Sequence, residues 1–409
     1  MIKNFYHPEL LQTPDGVRDI YGRECELKNH IQDKIHAIIK SYGFDDIQTP
    51  SFEFFDIFNK ERGTVKSNEM YKFVDRNNNT LVLRPDITPS IARSVSKYYE
   101  HEKLQVRLCY VGNTYINNSN YQGRLKEITQ AGAELINDDT SDADAEMIAL
   151  TVEALLETGI TEFRIDVGHV GFFNGLVAEA GLEDEQINEL KELLERKNLF
   201  AVEQFAAGLP ISDSVKKMLI KLPEMFGSDE YLEYAKKNVK NECSLAAIDR
   251  LEKLYSIIDV YGLRQYVNFD LGMISNYNYY TGTIFRAYTY GLGEPIATGG
   301  RYDRLLKQFG KDGAAIGVAI NVDQLMLAIE RKKLHPEPEN NSCIILYSPA
   351  ERKKAIELAA KKRKDGVNVR LMRKNRDVSV EEYRAYADDN RIKEFLYIES
   401  GCESGKEIN

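Results

Sequence analysis

Between residues 24 and 42, Leu27, Ile31, Ile35, Ile38, Ile39 and Tyr42 recur at steps of three and four, the spacing that gathers apolar groups on one helix face. Gly43 follows, where helices commonly end in a left-handed residue. The pattern predicts a helix packed on a core. It then shortens to period two. FDDIQTPSFE (44–53) and YKFVDRNNNTLVLRPD (71–86) alternate apolar with polar positions around an Asn-rich turn, which predicts strands and a hairpin. A further strand pair, Val106 to Val111 and Ile128 to Leu135, flanks NTYINNSNYQGRLKE (113–127), a stretch polar enough to be a long hairpin loop. Ser141 with Asp144 resembles a capping box ahead of a helix whose buried stripe is Ile148, Val152 and Leu155, ending at Gly159, and Phe163 to Val167 returns as a strand.

From about residue 170 to 262 the periodicity is helical, with charged segments such as LEDEQINELKELLERKN. Strand-like runs resume at VNFDLGM (267–273), NYYTGTIFRAYTY (278–290) and AAIGVAI (314–320). The sheet is therefore completed by residues far from its start, an α+β order with a helical insertion and not a βαβ repeat. The stretch 333–341, KLHPEPENN, has the proline content and polarity of a linker. It separates a core of residues 1–332 from a module, 342–409, in which CIILY, a helix to Lys364, VNVRL, a second helix and EFLYIES predict a small α/β unit.

Composition narrows the function classes. The chain is 43% hydrophobic and 29% charged and holds no apolar run near the roughly 20 residues of a membrane span. MIKNFYHPEL lacks the organisation of a secretory signal, so a cytoplasmic location is expected. Cys25, Cys109, Cys243, Cys343 and Cys402 are scattered without a CxxC, and the histidines form no HxxxH pair, so free thiols and no metal site are expected. The net charge of −10 opposes general nucleic-acid binding. The basic run from Arg352 to Arg376 reads as a solvated helix face followed by an edge strand, or as a polyanion-binding face.

Six fragments are more specific. TPDGVRDI (13–20), YGFDDIQTPSFE (42–53), EMYKFVDR (69–76), LRPDITPSIAR (83–93), QGRLKEITQAGAEL (122–135) and GGRYDRLLKQFG (299–310) occur in the order and spacing of histidyl-tRNA synthetases. Over most of residues 10–330 the chain resembles that family. The resemblance implies a class II aminoacyl-tRNA synthetase-like antiparallel sheet of six or seven strands flanked by helices, with motif 1 near Pro50 at a homodimer interface. It also implies that the C-terminal module is a shortened anticodon-binding domain.

The same resemblance marks what is missing. Family members activate an amino acid by attack of its carboxylate on the α-phosphate of ATP, which depends on preorganised cations around the phosphates. In motif 2 the positions of a Phe-Arg-x-Glu pattern hold Tyr115, Ile116, Asn117 and Asn118, so isoleucine stands where the nucleotide-binding arginine belongs. The histidine-specific Arg-Gly-Leu-Asp-Tyr-Tyr motif corresponds to Ser275 through Tyr280, and motif 3's closing Gly-Leu-Glu-Arg to Asn321 through Gln324. Ser275 and Gln324 thus replace two further arginines. With charge-assisted hydrogen bonds worth about 1.5–3 kcal/mol each, three losses amount to roughly 5–9 kcal/mol, or about three to six orders of magnitude in rate. Arg107 or Arg124 would be the nearest substitutes.

On the amino-acid side the resemblance implies that Asp86, Thr88 and Gln130 meet an α-amino group and that Glu134 and Tyr280 address an imidazole, with Tyr279 a further histidine-binding candidate. Asp86 and Ile87 depart from the family's glutamate and glycine. A kept amino-acid side beside an emptied nucleotide side resembles the ATP phosphoribosyltransferase regulatory subunits, synthetase paralogues of histidine biosynthesis. That implies a non-catalytic chain without cofactor, a short-form catalytic subunit as partner in a hetero-octamer, and L-histidine as effector. A divergent histidyl-tRNA synthetase and a tRNA-sensing pseudo-synthetase are the alternatives.

Overall fold

The structure is a computed structural model describing residues 11–58, 65–118, 125–227, 229–274, 279–334, 336 and 341–399. The chain divides into two compact units, Met1–Pro336 and Glu337–Asn409.

The first unit begins with helix α1 (Gly22–Ser41), which buries Ile31, Ile35 and Ile39 completely and ends at Gly43 with φ +80°. Each of these isoleucines contributes roughly 1.5–3 kcal/mol of burial. Strands β1 (Asp45–Asp46), β2 (Phe52–Phe54), β3 (Lys72–Val74) and β4 (Thr80–Leu83) follow, the last two joined through Asn78 at φ +62°. The hairpin pairs with β2 as a separate small sheet, ordered β2-β4-β3. After helix α2 (Thr88–Tyr98) come β5 (Val106–Tyr115) and β6 (Glu127–Ile136). Both outrun their apolar stretches, because Asn113, Thr114 and Tyr115 continue the ladder opposite Thr129, Ile128 and Glu127.

Helix α3 (Ser141–Glu157) corrects one expectation. Its N-cap is Thr140, whose side chain accepts from the Ala143 amide, while Asp144 turns inward and is fully buried. Asp144 accepts from Arg301 (2.9 and 2.6 Å), Arg250 (2.9 Å) and the Thr283 hydroxyl (2.8 Å), so it joins helices to sheet and caps nothing. Strand β7 (Phe163–His169) leads into the helical stretch α4 (Val170–Ala180), α5 (Asp184–Glu195), α6 (Leu199–Ala207), α7 (Asp213–Lys221), α8 (Asp229–Asn238) and α9 (Glu242–Val260). Strands β8 (Val267–Phe269), β9 (Thr283–Thr289), β10 (Ala297–Arg301) and β11 (Ala315–Asn321) then complete the sheet before α10 (Val322–Arg331).

The main sheet has eight strands in the order β1-β5-β6-β11-β10-β9-β7-β8. Its middle is antiparallel, but β1 runs parallel to β5 and β8 parallel to β7. The sheet is therefore mixed, and larger than the six or seven antiparallel strands expected. Its edge strands β1 and β8 are only two and three residues long, and β10, with the sequence ATGGR, has too little apolar content to read as a strand.

Because strand side chains alternate, the sheet separates two cores. Ala131, Ala133 and Leu135 of β6 join α1, α3 and the helical stretch in the larger one. On the other face a smaller core gathers Ile87, Ile91 and Val95 around α2 with Leu108, Tyr110, Tyr279 and Tyr302. Gln130, Gly132 and Glu134 belong to this second face.

The second unit is a three-stranded parallel sheet built from β12 (Ser342–Tyr347), α11 (Arg352–Lys364), β13 (Asn368–Arg373), α12 (Val380–Asp389) and β14 (Glu394–Ile398), in the order β13-β12-β14. Helix α11 buries only Ala355 and Ala359 and exposes Arg352, Lys353, Lys354 and Lys361, while β13 is an edge strand. Among the described residues no helix is long and apolar enough to cross a membrane.

Candidate functional site

The second sheet face carries a compact polar constellation centred on Glu134. This residue is 1% exposed. Its Oε1 accepts from the Thr88 hydroxyl (2.7 Å) and its Oε2 from the Tyr302 phenol (2.6 Å). Burial pushes the Glu134 carboxyl up to about 8, against the pull of the two hydroxyls and with a smaller push from Asp86. Thr88 stands at the start of α2, where Asp86 accepts the Thr88 amide (3.1 Å) and the Tyr279 hydroxyl (3.1 Å). Tyr279 and Tyr280 meet edge to face at 4.9 Å, and Tyr279 meets Tyr302 at 5.9 Å.

Glycines make room for these side chains. On β11, Gly317 is the register partner of Glu134, and a Cβ there would fall inside the Glu134 carboxylate. On β6, Gly132 opposes Tyr110, and a Cβ would overlap the Tyr110 phenol. The acid and the phenol therefore lie flat across the sheet only because their neighbours lack side chains.

Two polar atoms on this face have no hydrogen-bond partner among the described residues: the Tyr110 hydroxyl, on a residue 4% exposed, and the buried Oε1 of Gln130. Orphaned buried polar atoms are uncommon and costly in a folded protein, about 1–3 kcal/mol each. Two on one face of the sheet are the arrangement a polar ligand would complete.

Five of the six expected amino-acid-side residues, Asp86, Thr88, Glu134, Tyr279 and Tyr280, thus surround one another. Gln130 stands on the same strand face, four residues along β6. Sequence reasoning missed Tyr110 and Tyr302. No local signal marks their role: position 110 comes beside Gln130 and Glu134 only as register partner of 132, and Tyr302 lies within the GGRYD fragment without a motif of its own.

The nucleotide-side positions look different. Ile116 is held by its amide, which donates to the Lys126 carbonyl (2.8 Å), and presents a hydrocarbon side chain. Asn118 donates to the Leu125 carbonyl (3.3 Å), and its buried Oδ1 has no partner among the described residues. Gln324 sits in the first turn of α10, its amide capped by Asn321 (3.0 Å). Ser275 lies outside the described residues, as does Arg124. Arg107 supplies no replacement charge: it points to the larger core, forks onto Glu146 (2.6 and 2.9 Å) and lies over the Phe44 ring. Arg84 is spent on the Thr49 and Pro50 carbonyls and hydroxyl and on the Asn113 carbonyl. Beside Gln324 the chain places an acid, Asp323, bound by Lys28 (2.7 Å) and by the Thr129 amide (2.7 Å).

Comparison with known proteins identifies the family. The family model described as histidyl-tRNA synthetase matches residues 16–325. An ATP phosphoribosyltransferase regulatory subunit from Caldanaerobacter subterraneus is 42% identical over 87% of this chain and 93% of its own length. The one from Acetivibrio thermocellus is 38% identical over 88% and 86%. Among solved structures, an ATP phosphoribosyltransferase regulatory subunit/histidyl-tRNA synthetase from Bacillus halodurans superposes with a TM-score of 0.85 at 32% identity, covering 96% of this chain and 99% of that one. Histidyl-tRNA synthetase from Nostoc sp. shares the fold, with a TM-score of 0.79 at 19% identity over 94% and 90% of the two chains. The chain belongs to the ATP phosphoribosyltransferase regulatory subunits, a family built on the histidyl-tRNA synthetase-like class II core.

Proposed function

We propose that this chain is a cytoplasmic regulatory subunit without catalytic residues of its own, which binds L-histidine in the Glu134 pocket and carries feedback inhibition to a short-form ATP phosphoribosyltransferase catalytic subunit at the first step of histidine biosynthesis. The observation that carries the reading is the contrast between the pocket's two ends. Tyr110 and Gln130 hold unused hydrogen-bonding atoms around Glu134, whereas Ile116 and Gln324 offer no cation to a triphosphate. Histidine suits the polar end. Its ammonium group finds a carboxylate in Asp86, and an imidazole N–H finds an acceptor in Glu134.

Feedback requires that histidine bind one state of the complex more tightly than the other, because a ligand with equal affinity for both shifts nothing. We propose a hetero-octamer in which this chain forms homodimers through the motif 1 region. The exposed Phe52, Phe54 and Phe73 on the small sheet, 53, 54 and 39% accessible, support an apolar contact there.

The test is to co-purify the chain with a short-form catalytic subunit and assay ATP phosphoribosyl transfer with and without histidine. Activation by the chain, reversed by histidine, is expected. A catalytic subunit indifferent to both would overturn the assignment, and ATP–pyrophosphate exchange with histidine by this chain alone would favour the synthetase alternative.

A further inference from the structure

On the face of the sheet opposite Glu134, three different ligand types converge. His36 of α1, Asp46 of β1 and Cys109 of β5 bring Nε2, a carboxylate oxygen and Sγ within 4.8 Å of one another. His36 Nε2 lies 2.5 Å from Asp46 Oδ1, and the Cys109 sulfur lies 3.5 Å from the same oxygen. We propose that these residues form a binding site for a borderline-soft divalent cation of the zinc or cobalt class, with a water as fourth ligand.

The framework holding them is well fixed. Asp46 and Cys109 are register partners in the parallel β1–β5 ladder, and the Ile47 amide donates to the Cys109 carbonyl at 2.9 Å. Both side chains therefore leave the sheet on the side covered by α1. Cys109 is fully buried beside the isoleucines of α1, whereas the side chains of His36 and Asp46 are 35 and 60% exposed. That combination gives the sulfur and nitrogen a rigid base and leaves one side open to water, as a four-coordinate site with three protein ligands requires. Nitrogen, sulfur and carboxylate oxygen together match zinc-class ions and not calcium or magnesium, which select oxygen alone.

Lys40, one turn beyond His36, is bound to the other carboxylate oxygen, Asp46 Oδ2, at 3.1 Å. Asp46 Oδ1, which here meets His36 Nε2 and the Cys109 thiol, is therefore separate from the oxygen that the lysine holds, and a bound ion would replace those two hydrogen bonds. Binding replaces the Cys109 S–H bond with a metal–thiolate bond and releases that proton to solvent. Sequence spacing gave no hint of the group, since its members stand on three elements and form no short motif. A bound ion would pin α1 to the sheet edge, within the region proposed for dimerisation.

The probe is Co²⁺ added to the metal-free full-length chain, read by absorption. A sulfur-to-cobalt charge-transfer band in the near ultraviolet, saturating at one ion per chain and displaced by Zn²⁺, is expected. Cys109→Ser should abolish that band. His36→Gln, a change at a partly exposed position that leaves the core intact, should weaken binding by at least about tenfold, the scale seen when metal-site support is removed. Lys40→Met should tighten it by removing the competing cation. No charge-transfer band in the unmodified chain, or a band that survives Cys109→Ser in a folded variant, overturns the site.

Discussion

Glu134→Gln isolates the chemistry of the pocket. The substitution keeps shape and removes a carboxyl that burial has pushed up to about 8 from an ordinary value near 4.5. Because the folded value is raised, the folded chain binds this proton more tightly than the unfolded one. Glu134 is therefore least costly below pH 4.5, and stability is lost as pH rises from there through 8. At about 1.36 kcal/mol for each pH unit, the interval is worth on the order of 5 kcal/mol. Glutamine titrates nowhere in this range, so the variant should lack that slope. Urea unfolding of both proteins at pH 5.5, 7 and 8.5 reads the difference, with the variant gaining on the parent by about 3–4 kcal/mol across those conditions. Histidine titration calorimetry at pH 8.5 completes the experiment. Loss of a charge-assisted acceptor for the imidazole should weaken binding by about 1.5–3 kcal/mol, or roughly 10- to 150-fold. Parallel stability profiles for the two proteins would refute the electrostatics, and unchanged histidine affinity would refute the role of Glu134 in the pocket.

Tyr110→Phe removes a hydroxyl that has no partner among the described residues, so stability by urea unfolding should hold or rise slightly while histidine affinity falls about tenfold; a large stability loss with unchanged affinity would make the phenol structural. Gly317→Ala drives a methyl group into the Glu134 carboxylate and should cost about 1–3 kcal/mol by urea unfolding and abolish detectable histidine binding. Asp144→Asn leaves Arg301 and Arg250 without their shared buried anion, for a loss of about 3–5 kcal/mol by urea unfolding; a change below about 1 kcal/mol would mean that the arginines are held elsewhere.

What the sequence made legible follows from how local each signal is. The spacing of Ile31, Ile35 and Ile39 and the glycine after them define α1 within a single window. The alternation in β6 likewise orders its two faces. Strand β10 was illegible because Gly299 and Gly300 are selected by the Phe285 and Tyr280 rings above them, not by strand preference. Asp144 was misread for a related reason: an acid three residues into a helix looks like a cap until Arg250 and Arg301, more than 100 positions away, reach it. In the pocket, family motifs led to Asp86, Thr88 and Glu134. Tyr110 and Tyr302 needed the register, since only pairing of β5 with β6 and the turn after β10 bring them to the same carboxylate.

Asp323 shows why the nucleotide end would not be rebuilt by a nearby cation. Its carboxylate accepts the Thr129 amide and pairs with Lys28, with side chains 9 and 13% exposed. One residue away, Gln324 occupies the place where motif 3 would end in arginine, while Asp323 itself keeps the acid of the Gly-Leu-Glu-Arg pattern. Lys28 is thus committed to that acid, as Arg107 is to Glu146 and Arg84 to backbone carbonyls, and each would have to give up its partner to reach a phosphate. The neighbouring strand position, Gln130, carries a side-chain oxygen without a partner among the described residues. Under the proposed function the two ends differ in that way: cations already spent at one, an acceptor unspent at the other.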